Sequence, residues 1–267
     1  MSREAGGPWN DFLKGIPCPR LMKTDRNDPA QFIARVLPRA IALDRSQPLS
    51  AQIYELLREA IVTMAVLPSD VIFERALSET LGISRTPVRE ALQRLGREEL
   101  VTIAAQSGTF VAPVLREQFT ESALIRRVLE SASIRRAAER ITARELDALR
   151  DIHEVHRRAI ERGDPVEAIW QDNRFHAAVG TASGLPRVLQ LIDLVRAPID
   201  RVRYVTAREP EEGAMTLAQH QRVLDALAEH DPDAAERALL AHLDDALMRQ
   251  QRVFDAHVEL FEGDGGR

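Results

Sequence analysis

The sequence predicts a mainly α-helical chain made of two domains. Ala, Leu, Arg and Glu are abundant and aromatic residues make up only 4% of the chain, a composition that favours helix. Residues 100–111 break this pattern, because two short β-prone runs flank a turn that ends in Gly108, which predicts a hairpin. With 267 residues and 45% hydrophobic composition, the chain is long enough for two packed cores.

The domain limits follow from where the hydrophobic periodicity starts and stops. Residues 1–40 show no sustained period and are predicted to be a disordered tail, with a short helix near Ala30–Val36. Residues 41–114 form the first predicted domain and residues 115–119 the linker. Residues 120–262 form an all-α domain, whose helices are interrupted by Pro165, Pro186, Pro210 and Pro232.

Three features point to a cytoplasmic protein. The single cysteine, Cys18, excludes a disulfide framework and fits a reducing compartment. No apolar run approaches the ~20 residues needed to span a bilayer, so no membrane partner is expected. The first residues lack the apolar segment of a secretory signal.

The first domain contains three predicted helices followed by the hairpin. The first begins near Leu49, carries apolar residues at the 3.6-residue period and stops before Pro68. The second covers about Glu74–Leu81 and is ended by Gly82. The third runs from about Ser84 to Glu98. Three helices and a hairpin in this order predict a winged helix-turn-helix.

The third helix carries the features of a DNA-reading element. Its apolar residues fall on one face that must pack on the other helices: Val88, Ala91, Leu92 and Leu95. Arg85, Arg89 and Gln93 form a neighbouring stripe at i, i+4 and i+8. Guanidinium groups near a helix N-terminus suit phosphates and guanine edges. The alternative is a solvated basic face on an ordinary surface helix, and the net charge of −5 argues against strong non-specific DNA binding.

Four residues of the helical domain form a candidate metal site. Asp172 and His176 are four residues apart and share one helix face. His220 lies eleven residues before Asp231 and His242 eleven residues after it, so a helical hairpin turning at Asp231 would bring both imidazoles to the same height. Three imidazoles and one carboxylate suit a borderline divalent ion such as Zn²⁺, Ni²⁺ or Mn²⁺.

The alternative is that these four residues are ordinary packed or surface side chains joined by hydrogen bonds. The other histidines show no comparable pattern. His153 and His156 share a polar helix face and are expected to be solvated.

The first domain resembles the GntR family of bacterial regulators. The resemblance rests on residues 73–95 and above all on the run Ser84-Arg85-Thr86-Pro87-Val88-Arg89-Glu90-Ala91-Leu92. It implies DNA contacts from Arg75, Arg85, Thr86, Arg89 and the wing tip Gly108. Two positions depart from the family pattern: Glu99 replaces the usual glycine before the wing, and Ser107 replaces a frequent basic residue.

The second domain resembles the ligand-binding FCD domain of the FadR-type branch of that family. The residues that carry this resemblance are Arg126, Leu129-Glu130, the run Asp172 to His176, Ala182-Ser183-Gly184, His220 and His242. It implies an antiparallel helical bundle with a metal at its centre. It also implies a small carboxylate effector beside the metal, with Arg126 as its partner. Leu124 replaces the family's frequent acidic residue two positions before that arginine.

These observations predict a transcriptional regulator whose affinity for a double-stranded DNA operator is controlled by a small organic acid. One winged helix covers a short half-site, so a homodimer on a pseudo-palindromic operator is expected. Two alternatives remain at this point. One is a metal-dependent enzyme built on the bundle, and the other is an architectural DNA-binding protein whose helical domain only dimerises.

Overall fold

The computed structural model describes residues 28–37, 43–206 and 210–262. Most of the predicted N-terminal tail lies outside these residues, but the short helix expected near Ala30–Val36 is observed as α1 (Pro29–Val36). Its side chains Phe32 and Val36 are buried. Contacts divide the chain into two compact units, Met1–Leu115 with His257–Arg267, and Arg116–Ala256.

The N-terminal unit contains three further helices and a small sheet. The elements are α2 (Leu49–Val62), β1 (Val71–Ile72), α3 (Glu74–Leu81), α4 (Arg85–Arg97), β2 (Val101–Ala104) and β3 (Gly108–Val111). The antiparallel sheet has the order β1-β3-β2, with Val101 opposite Val111 and Val71 opposite Phe110. The predicted winged helix-turn-helix is confirmed, and the two-residue strand β1 is an addition to it.

Local sequence explains how α3 and α4 are joined. Gly82 has φ +61° at the end of α3, a left-handed conformation that glycine adopts without steric cost. The predicted buried face of α4 is confirmed, since Val88, Ala91, Leu92 and Leu95 are all buried. Glu99, which stands where the family usually has glycine, also lies in the left-handed region with φ +56°.

One half-buried carboxyl on α2 makes the stability of the N-terminal unit depend on pH. Burial, together with the charge of nearby Glu55, raises the pKa of Glu59 from its ordinary value of 4.5 to about 8. The folded state therefore holds a proton that the unfolded chain releases at lower pH. It follows that the free energy of unfolding should fall as the pH rises from about 5 to 8.

The variant Glu59→Gln cannot ionise and should therefore remove this contribution. We expect it to raise the free energy of unfolding by at least about 1 kcal/mol at the upper end of this pH range. Urea unfolding followed by circular dichroism at both ends of the range measures the effect. Glu55→Gln, an exposed neighbour on the same helix, is the control and should change the pH dependence less. An unchanged pH dependence in Glu59→Gln would show that Glu59 ionises freely in the folded protein.

The second unit is a bundle of α-helices. They are α5 (Arg116–Arg140), α6 (Ala143–Glu161), α7 (Pro165–Ala182), α8 (Pro186–Val195), α9 (Ala197–Thr206), α10 (Pro210–Ala228) and α11 (Pro232–Ala256). Their apolar faces share one core that includes Ile134, Leu149, Phe175, Val223 and Leu239. The all-helical second domain predicted from the sequence is thereby confirmed.

Two of these helices, α7 and α11, begin at capping residues that lie in turns predicted from the sequence. Asp164 accepts a hydrogen bond from the Glu167 backbone N–H at the start of α7. Asp231 accepts bonds from the backbone N–H groups of Asp233 and Ala234 at the start of α11, as expected for an N-cap followed by proline. The turn between α10 and α11 is therefore tight, and it fixes the height at which residues on the two helices meet.

A last short helix, α12 (Val258–Glu262), groups with the N-terminal unit, whereas the sequence predicted a helical domain that extends to residue 262. The Val114 N–H donates to the Phe261 carbonyl at 2.8 Å, and Phe261 is buried. Within the described residues, no helix combines the length and apolar character needed to cross a membrane.

Candidate DNA-reading surface and metal centre

The residues implied to contact DNA lie on one end of α4 and on α3. Arg85, Thr86 and Arg89 are exposed on the first two turns of α4. Arg75 is exposed on α3, where its Nε lies 2.6 Å from the Glu79 carboxylate. An exposed ion pair of this kind contributes little stability, so the Arg75 guanidinium can exchange this partner for another anion.

A single carboxylate links the start of α3 to α4 and to the wing. The Glu74 carboxylate accepts a hydrogen bond from Arg89 Nε at 3.2 Å and one from the Thr109 hydroxyl at 3.1 Å. Gly108 immediately precedes Thr109, is exposed and has φ +116°. Glu74 therefore holds the strand that begins at the wing tip against the basic end of α4.

In the helical unit, the four candidate metal ligands converge on one point. Asp172 and His176 lie on α7, His220 on α10 and His242 on α11, and one donor atom from each lies within 4.8 Å of the others. The His176 and His242 Nε2 atoms are 3.3 Å apart. His220 Nε2 lies 3.5 Å from Asp172 Oδ1. All four side chains are shielded from solvent.

Hydrogen-bond partners orient two of the imidazoles. His176 Nδ1 lies 2.6 Å from the Glu130 carboxylate, and His242 Nδ1 lies 2.9 Å from the Gln219 amide oxygen. Both partners are acceptors, so each Nδ1 carries the proton, and each Nε2 presents a lone pair towards the cluster in the neutral ring. Acceptors on the outer nitrogen are typical of histidines that bind metals.

His220 is held by packing instead. Its ring stacks on Phe175 with 4.1 Å between the centroids, and neither of its nitrogens has a hydrogen-bond partner among the described residues. A buried imidazole with two unpartnered nitrogens loses favourable interactions that it would have in water. A cation bound at Nε2 would restore one of them.

The surroundings favour neutral imidazoles at His220 and His242 and an ionised carboxylate at Asp172. Burial lowers the pKa of His242 to about 3, and it lowers the pKa of His220 well below its ordinary value. Burial alone would raise the pKa of Asp172, but Arg203, at 2.7 Å from its Oδ2, and the adjacent histidines hold it well below its usual range. These are the protonation states that metal coordination requires.

The donor set therefore fits a divalent ion. Two imidazole nitrogens bound to one Zn²⁺ at about 2.0–2.1 Å in tetrahedral geometry lie about 3.3 Å apart, which is the separation of His176 Nε2 and His242 Nε2. Two lone pairs at this distance repel each other unless a proton or a cation lies between them. Zn²⁺, Ni²⁺ and Mn²⁺ all accept this combination of donors.

A small cavity of about 80 Å³ adjoins the cluster and shares His176 with it. Its lining also includes Arg126, Glu130, Arg196 and Asp200. Arg126 is buried, and its Nε donates to the Glu130 carboxylate at 2.5 Å. Within the described residues, this bond to Glu130 is the one hydrogen bond that the Arg126 guanidinium forms.

Three residues that orient or charge the donor side chains were not predicted as part of this site: Glu130, Gln219 and Arg203. Glu130 was noted only as one of the residues that carry the FCD resemblance, and no pattern in the sequence marks Gln219 or Arg203. His156 was expected to be solvated, and this was wrong. It is buried at 3% exposure, its ring centroid lies 5.6 Å from that of His220, and burial lowers its pKa to about 4.

Comparison with known proteins identifies both halves of the chain. Residues 49–111 match the family model for bacterial regulatory proteins of the gntR family, and residues 121–245 match the FCD domain. The HTH-type transcriptional repressor RspR of Escherichia coli K12 is 33% identical over 201 residues, which cover 75% of this chain and 88% of RspR. The chain therefore belongs to the GntR family of bacterial transcriptional regulators and carries an FCD domain.

Further relatives and solved structures agree with this assignment. The Nta operon transcriptional regulator of Aminobacter aminovorans is 28% identical over 198 residues, which cover 73% of this chain and 88% of that protein. Escherichia coli McbR has the same fold, with a TM-score of 0.70 and 24% identity over 77% of this chain and 98% of McbR. A GntR regulator of Rhodococcus sp. RHA1 has a TM-score of 0.67 and 25% identity over 78% of this chain and 98% of its own.

The protein described here is thus a DNA-binding transcriptional regulator, and the metalloenzyme alternative is set aside.

Proposed function

We propose that this regulator changes its affinity for an operator when a small organic acid binds beside a divalent ion in the FCD domain. The ion is held by Asp172, His176, His220 and His242, and the carboxylate of the effector is held by Arg126. Since the target is chromosomal DNA, the protein would work in the cytoplasm.

The observation that carries this proposal is the convergence of four candidate donor atoms next to a cavity that is lined by an arginine. The His176 and His242 Nε2 atoms lie 3.3 Å apart, and the same His176 borders the cavity that Arg126 lines. When bound there, the ion would supply positive charge and open coordination positions for an anionic ligand. Glu130 accepts hydrogen bonds from both Arg126 and His176, so it links the effector-binding group to the metal ligand.

The DNA side of the proposal rests on the exposed positions around α4. Arg75, Arg85, Thr86 and Arg89 would contact the operator from α3 and α4, and Gly108 would contact it from the wing. One such domain reads a short half-site, so we propose a homodimer that binds a pseudo-palindromic operator. Effector binding would then act by favouring one arrangement of the two DNA-binding units over another.

Calorimetry on Zn²⁺-loaded protein with acetate, L-lactate, succinate and citrate tests the effector site. We expect at least one of these acids to bind, and Arg126→Lys to weaken it by at least about tenfold, because a hydrogen bond to a charged group contributes ~1.5–3 kcal/mol. Lysine keeps the charge beside Glu130 but lacks the forked donor geometry. Arg127→Lys is the control, since Arg127 pairs with Asp244 and does not line the cavity. Equal affinity in wild type and Arg126→Lys would rule out this role for Arg126.

A further inference from the structure

The cavity beside the metal cluster has a second polar wall, formed where α8 ends and α9 begins. Asp193, Arg196 and Asp200 line this wall, whereas Arg126 lines the cavity from α5. Asp193 is exposed, but Asp200 is buried. The cavity therefore offers a buried carboxylate in addition to the arginine that is proposed to hold the effector.

The Asp200 carboxylate accepts no hydrogen bond from any described residue. Arg196 Nε lies 3.3 Å from its Oδ2, and Arg203 Nη1 lies 3.5 Å from its Oδ1. Both separations exceed the ~2.7–2.9 Å of a charge-assisted hydrogen bond, so these cations balance the charge of Asp200 without donating to it. Since a buried carboxylate is normally hydrogen-bonded, a group bound in the cavity can supply the donor.

The Arg196 Nε–H is the complementary group on the same wall. It is buried and donates to no described residue, although the Asp193 and Asp200 carboxylates lie 3.4 and 3.3 Å from it. The wall thus places an acceptor without a donor next to a donor without an acceptor. A hydroxyl group both donates and accepts, so a single hydroxyl can donate to Asp200 and accept from Arg196.

The charges at this wall favour a hydroxyl over an ammonium group or a second carboxylate. An ammonium group would lie close to the guanidinium groups of Arg196 and Arg203, and it has no lone pair to accept from Arg196. An ionised carboxylate has no proton to donate to Asp200, and the two like charges would repel each other. Of these three groups, the neutral hydroxyl alone suits both sides of the wall.

We propose that Asp200 is a specificity-determining residue that selects hydroxycarboxylic acids as effectors. This inference rests on the proposed function, in which Arg126 holds the carboxylate of the effector, and it adds the residue that recognises a second group on the same molecule. Arg196 donates to the oxygen of the hydroxyl that donates to Asp200. An acid without this hydroxyl would cover Asp200 without bonding it, and leaving a buried charged acceptor unpaired is costly.

Pairs of acids that differ by one hydroxyl test this selection by calorimetry on Zn²⁺-loaded protein. The pairs are glycolate and acetate, lactate and propionate, malate and succinate, and citrate and tricarballylate, with both enantiomers of lactate and malate. They include every acid of the calorimetric test above. In each pair that binds, we expect the hydroxy acid to bind at least about tenfold more tightly than its partner.

Substitutions at Asp200 show whether this residue causes the preference. Asp200→Leu should bring the two affinities of a pair within about threefold of each other. Asp200→Asn keeps an uncharged oxygen acceptor and should give an intermediate ratio. Because the comparison is made within a pair, a general loss of affinity in a variant does not affect it, and circular dichroism checks that each variant is folded.

Asp193→Asn is the matched control, since Asp193 lines the same cavity and lies near the same Arg196 Nε, but is 68% exposed. It should keep the wild-type ratio. Equal affinities within a pair in wild type would overturn the inference. A ratio that survives in Asp200→Leu would also overturn it, because the preference would then come from the ion.

The amino acids glycine, alanine and aspartate test the choice of a hydroxyl over an ammonium group. We expect each to bind more weakly than glycolate, lactate or malate, respectively, and tighter binding of the amino acids would overturn that choice. If none of these acids binds wild-type protein, the effector site itself is wrong and this inference fails with it. Binding without discrimination at Asp200 would overturn the inference alone.

Discussion

Replacing His242 by alanine is expected to abolish the stabilisation of the helical bundle by divalent metal. The four donors come from three helices, α7, α10 and α11, so an ion bound to all of them cross-links the bundle. A ligand that binds only the folded state stabilises it by ~2.7 kcal/mol at a hundredfold excess over Kd. In wild type, added Zn²⁺ should therefore raise the melting temperature, and EDTA should lower it again.

The His242→Ala variant should melt at the same temperature with Zn²⁺ and with EDTA. His153→Ala provides the control, because His153 lies in the same bundle and bonds the Leu217 carbonyl through Nε2 but is not among the four donors. It should keep the full response to Zn²⁺. If elemental analysis finds no bound ion in wild type and neither Zn²⁺ nor EDTA changes its melting, the cluster is a structural packing of histidines.

Arg85→Ala and Arg89→Ala are each expected to weaken operator binding by ~1–3 kcal/mol if the arginines form bidentate contacts with bases. If they contact phosphates instead, each substitution should reduce the salt dependence of binding by about one charge. The operator duplex would first be selected by wild-type protein from random DNA. Anisotropy titrations at several salt concentrations then separate the two cases.

Arg97→Ala is the matched control for these variants, because Arg97 is at the opposite end of α4 and is not assigned a DNA contact. Its affinity and salt dependence should remain close to those of wild type. Wild-type behaviour in both Arg85→Ala and Arg89→Ala would mean that the basic end of α4 is an ordinary solvated surface.

Local signals in the sequence predicted most of the fold. Apolar residues at the helical period, the glycine at position 82 and the Asp-Pro pair at Asp231 predicted helices whose ends the structure places within a few residues. Strand β1 could not be predicted, because two residues are too few to show an alternating pattern. It forms only because β3 offers an edge to pair with.

The convergence of the four candidate metal ligands was predictable because its spacing relations are local. Asp172 and His176 share a face within one helix, and the turn at Asp231 aligns His220 with His242. Glu130 and Gln219 are not part of these spacing relations. Their hydrogen bonds to the imidazoles depend on how α5 and α10 pack against the other helices. His156 was placed on a solvated face because its neighbours are polar, but α6 packs against α7 and α10, and this packing buries it.

The coupling between the FCD domain and DNA is tested most directly by operator affinity in the presence of an effector. Anisotropy titration of the selected operator with Zn²⁺-loaded wild type would be repeated with the acid that binds most tightly in calorimetry. We expect the operator dissociation constant to change by about 5–150-fold, the usual range of allosteric coupling, and this change to disappear in His242→Ala. An acid that binds the bundle but leaves the operator dissociation constant unchanged would contradict control of DNA binding by this site.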